Sequence, residues 1–99
     1  MSGAEGPDGS EIVMPGFRGR VVGRFSGMLV VEGEIHGHLP AHAATSDELA
    51  VVMEGCVEVE LPTGLVRLEA GGHLVVPAGM SHAVRAIGMA KVLLIGAPD

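Results

Sequence analysis

Residues 71–82 read Gly-Gly-His-Leu-Val-Val-Pro-Ala-Gly-Met-Ser-His, and this stretch decides the fold. An apolar segment runs up to Pro77, where the missing N–H is tolerated because a proline at the end of a strand removes no ladder hydrogen bond. The turn that follows contains Gly79, which favours reversal of the chain. His82 opens the next apolar segment and is expected to point inward. The stretch predicts two strands joined by a tight turn.

The segment before it, residues 57–69, has the alternation of a β-hairpin. Val-Glu-Val-Glu-Leu and Leu-Val-Arg-Leu-Glu flank the turn Pro-Thr-Gly, and apolar and polar residues alternate on both arms. A period of two residues indicates strands with one face in water. On that face Arg67 is expected to lie across from Glu58 or Glu60.

Short apolar segments separated by glycine and proline continue through the rest of the chain. They fall at 12–14, 20–25, 28–36, 48–54, 57–61, 65–69, 73–77, 82–87 and 90–95. Short strands at even spacing predict an all-β sandwich or barrel.

Residues 45–55 leave the secondary structure open. Thr-Ser-Asp-Glu at 45–48 has the spacing of a helix capping box, and Gly55 is placed to end a helix. Adjacent valines at 51 and 52 and a length of only two turns favour a strand instead. We expect the strand.

The composition fits one domain with an aliphatic core. The 99 residues are 47% hydrophobic, with fourteen valines, two phenylalanines and neither tryptophan nor tyrosine. A chain of this length has room for a single core. Residues 1–10 are too polar to pack, so we expect a flexible tail there and one domain over 11–99.

Charge excludes several classes of partner. Twelve acidic and six basic side chains give a net charge of −6, which repels nucleic acid and anionic membranes. The longest apolar runs, such as 92–95, are far shorter than the ~20 residues of a membrane span. The single Cys56 and the absence of a basic and apolar leader predict a cytoplasmic protein.

Histidines are the candidate functional residues. His36, His38 and His42 lie at even intervals, so on a continuous strand they would share a face, and Glu48 follows six residues after His42. Facing imidazole and carboxylate groups suit a divalent metal. The alternative is that these histidines are solvated and inert.

Two stretches resemble the motifs of the cupin superfamily. Residues 71–82 match the second cupin motif, Gly-x5-Pro-x-Gly-x2-His, at each spacing, and residues 47–55 resemble the end of the first, with Glu48 as its acid. The resemblance covers about residues 33–95. It implies a small cupin-type β-barrel, or double-stranded jelly roll, and cupin barrels commonly form homodimers. We expect the strands around 12–25 to make that contact.

The resemblance also implies a metal site. His42 takes the first histidine position of the first motif, so His42, Glu48 and His82 would hold a divalent transition metal, Fe, Mn, Ni, Co, Cu or Zn. Ala44 stands where the family has a second histidine. His38 is a further candidate to fill that gap, and a second alignment places His36 and His38 as the histidine pair.

The implied function is action on a small organic molecule. Ala50 and Val51 stand where related cupins often place aromatic residues, which predicts spare volume inside, with a tightly collapsed barrel as the alternative. Dioxygenase, isomerase, lyase and cyclase chemistry all fit a metal-dependent cupin. The rival hypothesis is a non-catalytic small-molecule binding or sensing module whose metal site has decayed. Arg18, Arg20 and Arg24 are candidates to grip an anion or are solvated charges.

Overall fold

The computed structural model describes residues 9–96, which form eight β-strands paired antiparallel. The strands are β1 (Glu11–Met14), β2 (Phe17–Phe25), β3 (Met28–His42), β4 (Glu48–Glu54), β5 (Cys56–Leu61), β6 (Gly64–Glu69), β7 (His73–Val76) and β8 (His82–Gly96). The all-β prediction is confirmed, and residues 45–55 contribute β4 and no helix. Among the residues that the structure describes, no helix has the length and apolar character to cross a membrane.

The two longest strands, β3 and β8, hold the barrel together. The main path of paired strands is β1-β2-β3-β8-β4-β7, and β5 pairs with both β8 and β6. One edge of β8 pairs with β3, while its other edge pairs with β5 through residues 83–86 and with β4 through residues 91–96. Each half of β8 therefore serves a different side of the barrel, as expected for a jelly roll.

The chain bends where β4 gives way to β5. Gly55 lies between them with φ +86°, and a Cβ there would lie 2.8 Å from the carbonyl oxygen of Met89. The facing part of β8 contains Gly88, also at positive φ. The segments 82–87 and 90–95, which the sequence predicts separately, belong to one strand, β8. Gly55 and Gly88 lie where the two facing chains change direction.

The core is built from aliphatic side chains around one phenylalanine. Phe17 is buried, and its ring lies against the backbone of Gly19 and Gly33. A Cβ on Gly33 would lie 2.5 Å from the ring Cζ, so the ring occupies space that a side chain would need. The buried residues that pack together are Phe17, Val21, Val31, Ile35, Leu39, Val52, Val57, Val59, Ala86, Ala90 and Val92.

The structure describes only the end of the predicted tail, and it contains the predicted hairpin. Residues 1–8 of the predicted tail lie outside the described residues, while Gly9 and Ser10 hydrogen-bond to the backbone of Val21. The hairpin β5–β6 has the expected register, with Glu58 opposite Arg67 and 3.9 Å between Oε2 and Nη1.

Candidate functional site

A cavity of about 290 Å³ lies inside the barrel. Inward side chains of β4 reach it from Glu48, Ala50 and Val52, while Val51 faces the other way and does not line it. Among the lining residues that the structure describes, the polar side chains are His42, Glu48 and His82. The others are aliphatic apart from Met14, Phe17 and Gly96. The spare volume predicted from the small residues is present, although only one of the two positions named for it contributes.

Three strands bring the polar side chains together. His42 at the end of β3 lies directly opposite His82 at the start of β8. Their ring centroids are 4.3 Å apart at an interplanar angle of 54°. Glu48, the first residue of β4, is the third polar group, with 3.9 Å between its Oε1 and the Nε2 of His82. His42, Glu48 and His82, which the sequence resemblance names, therefore lie close together in the lining of one cavity.

Backbone carbonyls orient both imidazoles. The Nδ1 of His42 lies 3.0 Å from the carbonyl oxygen of Pro40, and the Nδ1 of His82 lies 3.0 Å from that of Met80. A carbonyl oxygen only accepts hydrogen bonds, so each Nδ1 carries the proton and donates it. In a neutral imidazole the lone pair is then on Nε2. This is the orientation that a histidine needs to act as a metal ligand or hydrogen-bond acceptor.

The two motif loops are hydrogen-bonded to each other. The N–H of Ala78 donates to Oδ1 of Asp47 at 2.9 Å, and the N–H of Gly79 donates to the carbonyl oxygen of Ala44 at 2.8 Å. These bonds fix the loop before Glu48 against the turn before His82. Sequence reasoning missed this positioning role of Asp47; the signal was a short acid next to Glu48 in a loop, where aspartate commonly accepts backbone N–H bonds.

The structure does not bring His38 or His36 to this group. His38 is exposed on the outside of the barrel, in a surface hollow with Glu58 and Arg85. His36 is exposed too and lies 3.0 Å from Glu34 through Nε2 and Oε1. The expectation that His36, His38 and His42 share a face is wrong because β3 carries one extra residue between Leu39 and His42 relative to β8. That bulge reverses which side alternate residues face.

The other basic candidates also lie outside the cavity. Arg18 and Arg20 are exposed on β2, and Arg18 Nε lies 3.7 Å from Oε2 of Glu11. Arg24 is exposed near the end of the same strand. None of the three lines the cavity, so an anion in the cavity would not meet them.

The three polar side chains are of the types that bind metal ions, but they lie farther apart than the ligands of a bound ion. Two imidazole nitrogens and one carboxylate fit a divalent transition metal. Within residues 9–96, however, no three His, Cys, Asp or Glu side chains are grouped closely enough to hold a metal ion as they stand. Ligand atoms at about 2.1 Å from one ion are roughly 3.0–3.4 Å apart. The 3.9 Å between Glu48 and His82 would have to shorten by several tenths of an ångström.

Comparison with solved structures identifies the fold. A cupin-2 domain containing protein from Shewanella frigidimarina is 25% identical and superposes with a TM-score of 0.76, over 81% of this chain and 79% of its own. This chain folds as a small cupin domain. No family model matches the cupin's sequence, and no curated protein matches it.

Two further structures resemble this cupin. An RmlC-like cupin from Shewanella frigidimarina is 20% identical with a TM-score of 0.78, over 90% of this chain and 82% of its own. Hydroquinone 1,2-dioxygenase PnpCD, in complex with Cd²⁺ and 4-hydroxybenzonitrile, is 26% identical with a TM-score of 0.73, over 80% of this chain and 63% of its own. The barrel is thus shared with at least one protein that holds a metal ion and an aromatic ligand.

Proposed function

We propose that this cupin binds a small, largely apolar organic molecule inside its barrel, at a divalent transition metal held by His42, Glu48 and His82. The observation that carries the proposal is that the polar side chains among the described lining residues lie close together in an otherwise apolar cavity. Both imidazoles there present Nε2 as the free nitrogen, because Nδ1 is bonded to a carbonyl.

The metal is supported by an unsatisfied nitrogen. His82 is 4% exposed, and its Nε2 has no hydrogen-bond partner among the described residues; Glu48 at 3.9 Å is too distant to be one. A buried polar atom without a partner costs about 1–3 kcal/mol. The imidazole of His82 and the carboxylate of Glu48 would hold such an ion, and the ion would satisfy the buried nitrogen.

The lining restricts the ligand. Beyond the three polar side chains, the described lining offers aliphatic groups such as Ile12, Leu74 and Leu94, which exclude water and make no hydrogen bonds. A molecule rich in hydroxyl groups would leave buried donors and acceptors unpaired, at a cost for each. The site therefore favours an aliphatic or aromatic molecule with one polar end directed at His42 and His82.

When bound, a metal with open positions would act as a Lewis acid or oxygen-binding centre. The chain's own groups would hold the ligand's apolar part, exclude water and orient its polar end. Glu48, the carboxylate of the site, is placed to accept a proton where it is not fully engaged by the ion. The proposal extends to oxygenase, isomerase, lyase or cyclase chemistry on such a molecule.

One observation favours a second candidate function, non-catalytic binding or sensing of the same class of molecule. Ala44 lines the cavity with a methyl group where the cupin motif has its second histidine, so the ligand set is one imidazole short. Binding of an apolar ligand needs only the cavity. In this candidate His82 and Glu48 form the polar end of the site without a metal.

Metal analysis tests the proposal. Protein purified without chelators should contain close to one transition metal per chain, and Co²⁺ added to the metal-free protein should give the visible absorption of protein-bound cobalt. His82→Ala should lose both signals. His38→Ala is the matched control, because it removes an imidazole from the outside of the barrel, and it should keep them.

Apolar ligand binding separates the two candidates. Wild-type protein that is folded, metal-free and silent with Co²⁺ would overturn the metal site. If such protein still binds an apolar fluorescent dye, and Ala50→Leu weakens that binding, the second candidate is favoured. Loss of metal from His38→Ala as well as His82→Ala would contradict the assignment of ligands.

A further inference from the structure

Basic side chains on this barrel nearly all have a glutamate opposite them. The chain has six basic residues, all within residues 9–96, and five of them pair across neighbouring strands with glutamate. These pairs are Arg18 with Glu34, Arg20 with Glu11 and Glu32, Arg67 with Glu58, Arg85 with Glu58, and Lys91 with Glu34 and Glu54. Arg24 is the exception, because its cross-strand partner is Leu29. It also takes part in none of the ion pairs found within residues 9–96.

A β-bulge turns Arg24 toward the cavity side of the sheet. Arg18 and Arg20 alternate with buried residues of β2, so they face outward. Simple alternation would send Arg24 outward as well, but β2 carries Val22 as an extra residue relative to β3. Arg24 consequently lies opposite Leu29, which lines the cavity. Directly paired residues of antiparallel strands share a face, and bulges commonly redirect a side chain next to a functional site.

Arg24 belongs to the same row of paired residues as Glu48. The row runs from Arg24 through Leu29 and Gly96 to Glu48 on four successive strands. Leu29 is the second residue of β3, Glu48 the first of β4 and Gly96 the last of β8, so the row follows one end of the sheet. These four residues are called the rim row below. The last three line the cavity, whereas Arg24 is exposed beside it.

The rim row sets the distance that a ligand would have to cover. Three strand spacings of about 4.8 Å place the Cα atoms of Arg24 and Glu48 roughly 14 Å apart along the sheet. Both side chains project from the same face, so a molecule considerably shorter than this can contact both. A group enclosed in the cavity does not meet Arg24, which leaves the exposed end of the rim row as the place for contact.

We propose that Arg24 binds a carboxylate carried by the ligand, while the apolar part of that ligand occupies the cavity. This inference rests on the apolar-ligand binding proposed above, and it gives the ligand class as aliphatic or aromatic carboxylic acids. A guanidinium binds a carboxylate through two parallel N–H bonds. No glutamate lies opposite Arg24 to compete for those bonds. The carboxylate remains in water at the rim row, so no charge has to be buried.

The charge of the protein limits the ligand to one negative charge. The chain carries −6, and a net charge of this sign repels anions. One guanidinium compensates one carboxylate, whereas a phosphate monoester carries about 1.5–2 negative charges at pH 7. The single Arg24 therefore fits a carboxylate better than a phosphate.

Isothermal titration calorimetry with octanoate and octanamide tests the inference. The two probes have the same length and nearly the same shape, but only octanoate is charged. Arg24→Gln should weaken octanoate binding about 3–10-fold, because an exposed but bidentate charge pair is lost. The same substitution should leave octanamide binding unchanged. Raising the salt concentration should reduce the octanoate affinity of wild type, and it should have little effect on Arg24→Gln.

Arg20→Gln is the matched control. It removes the same charge from the same strand, but on the outward face and opposite two glutamates. Octanoate binding should persist in this variant. Equal losses in Arg20→Gln and Arg24→Gln, or unchanged octanoate affinity in Arg24→Gln, would overturn the role of Arg24 while ligand binding in the cavity stands. A wild type that binds neither probe would overturn both this inference and the proposed ligand site.

Discussion

Replacing Ala50 with leucine should stabilise the protein, because the new atoms fill the cavity. Ala50 lies at the middle of β4 and its methyl group faces the cavity of about 290 Å³. The larger side chain adds three carbon atoms in a space that no side chain of residues 9–96 occupies. Most enlargements of a packed interior destabilise a protein, so the sign of the effect is diagnostic.

The size of the effect follows from burial. Three further carbon atoms at about 0.8 kcal/mol each give roughly 2.4 kcal/mol, and ordering the leucine side chain costs about 0.5–1 kcal/mol. A net gain of about 1–2 kcal/mol should raise Tm by roughly 4–15 °C in a domain of this length. Binding of an apolar dye should weaken in parallel, since dye and leucine compete for one volume.

The same substitution at Ala90 is the control. Ala90 is fully buried and does not line the cavity, so leucine there must displace packed atoms and cost about 1–3 kcal/mol. Thermal and urea unfolding of both variants measures whether each substitution raises or lowers the free energy of unfolding. If Ala50→Leu were as destabilising as Ala90→Leu, the barrel would be collapsed in solution and the cavity argument would fail.

Two more predictions concern the loops. Asp47→Ala should cost about 0.5–1.5 kcal/mol in urea unfolding by removing the acceptor of the Ala78 N–H bond, while Asp47→Asn keeps an acceptor and should cost less; equal costs would deny that bond a role. Gly16→Ala should lower the free energy of unfolding by more than about 2 kcal/mol, because φ at Gly16 is +77° and the new Cβ would overlap the carbonyl group of His38. Gly27→Ala, at φ +78° in open space, should cost only about 1–2 kcal/mol, and similar melting temperatures for the two variants would contradict the contact.

Local chemistry allowed much of the fold to be predicted. The alternation in residues 57–69 predicted a hairpin, and the structure places Arg67 opposite Glu58. Pro77 ends the β7 segment, and His82 begins β8 with its side chain buried. These features depend on period and turn residues, which are visible in a single sequence.

Facing and register were harder to predict because they depend on pairing between distant strands. An extra residue near the end of β3 sends His38 outward and His42 inward. Pro40 lies in this stretch and is typical of a strand edge or a bulge, but it does not tell which of the two occurs. Residues 49–53 are apolar on both faces, so the sequence could not separate Ala50, which lines the cavity, from Val51, which does not. The 3.9 Å between Glu48 and His82 also depends on how two loops meet.

Alternate residues of strand β4 have different roles on the two sides of the sheet. Its even-numbered residues, Glu48, Ala50 and Val52, furnish the interior, and its odd-numbered residues, Leu49 and Val51, furnish the exterior. Deleting one residue from the preceding loop would interchange these roles, because the register of β4 would shift by one residue. The carboxylate of Glu48 would then point outward, and Leu49 would lie beside His82. Directed evolution of ligand preference should therefore sample positions 50 and 52 while holding loop length and odd positions constant.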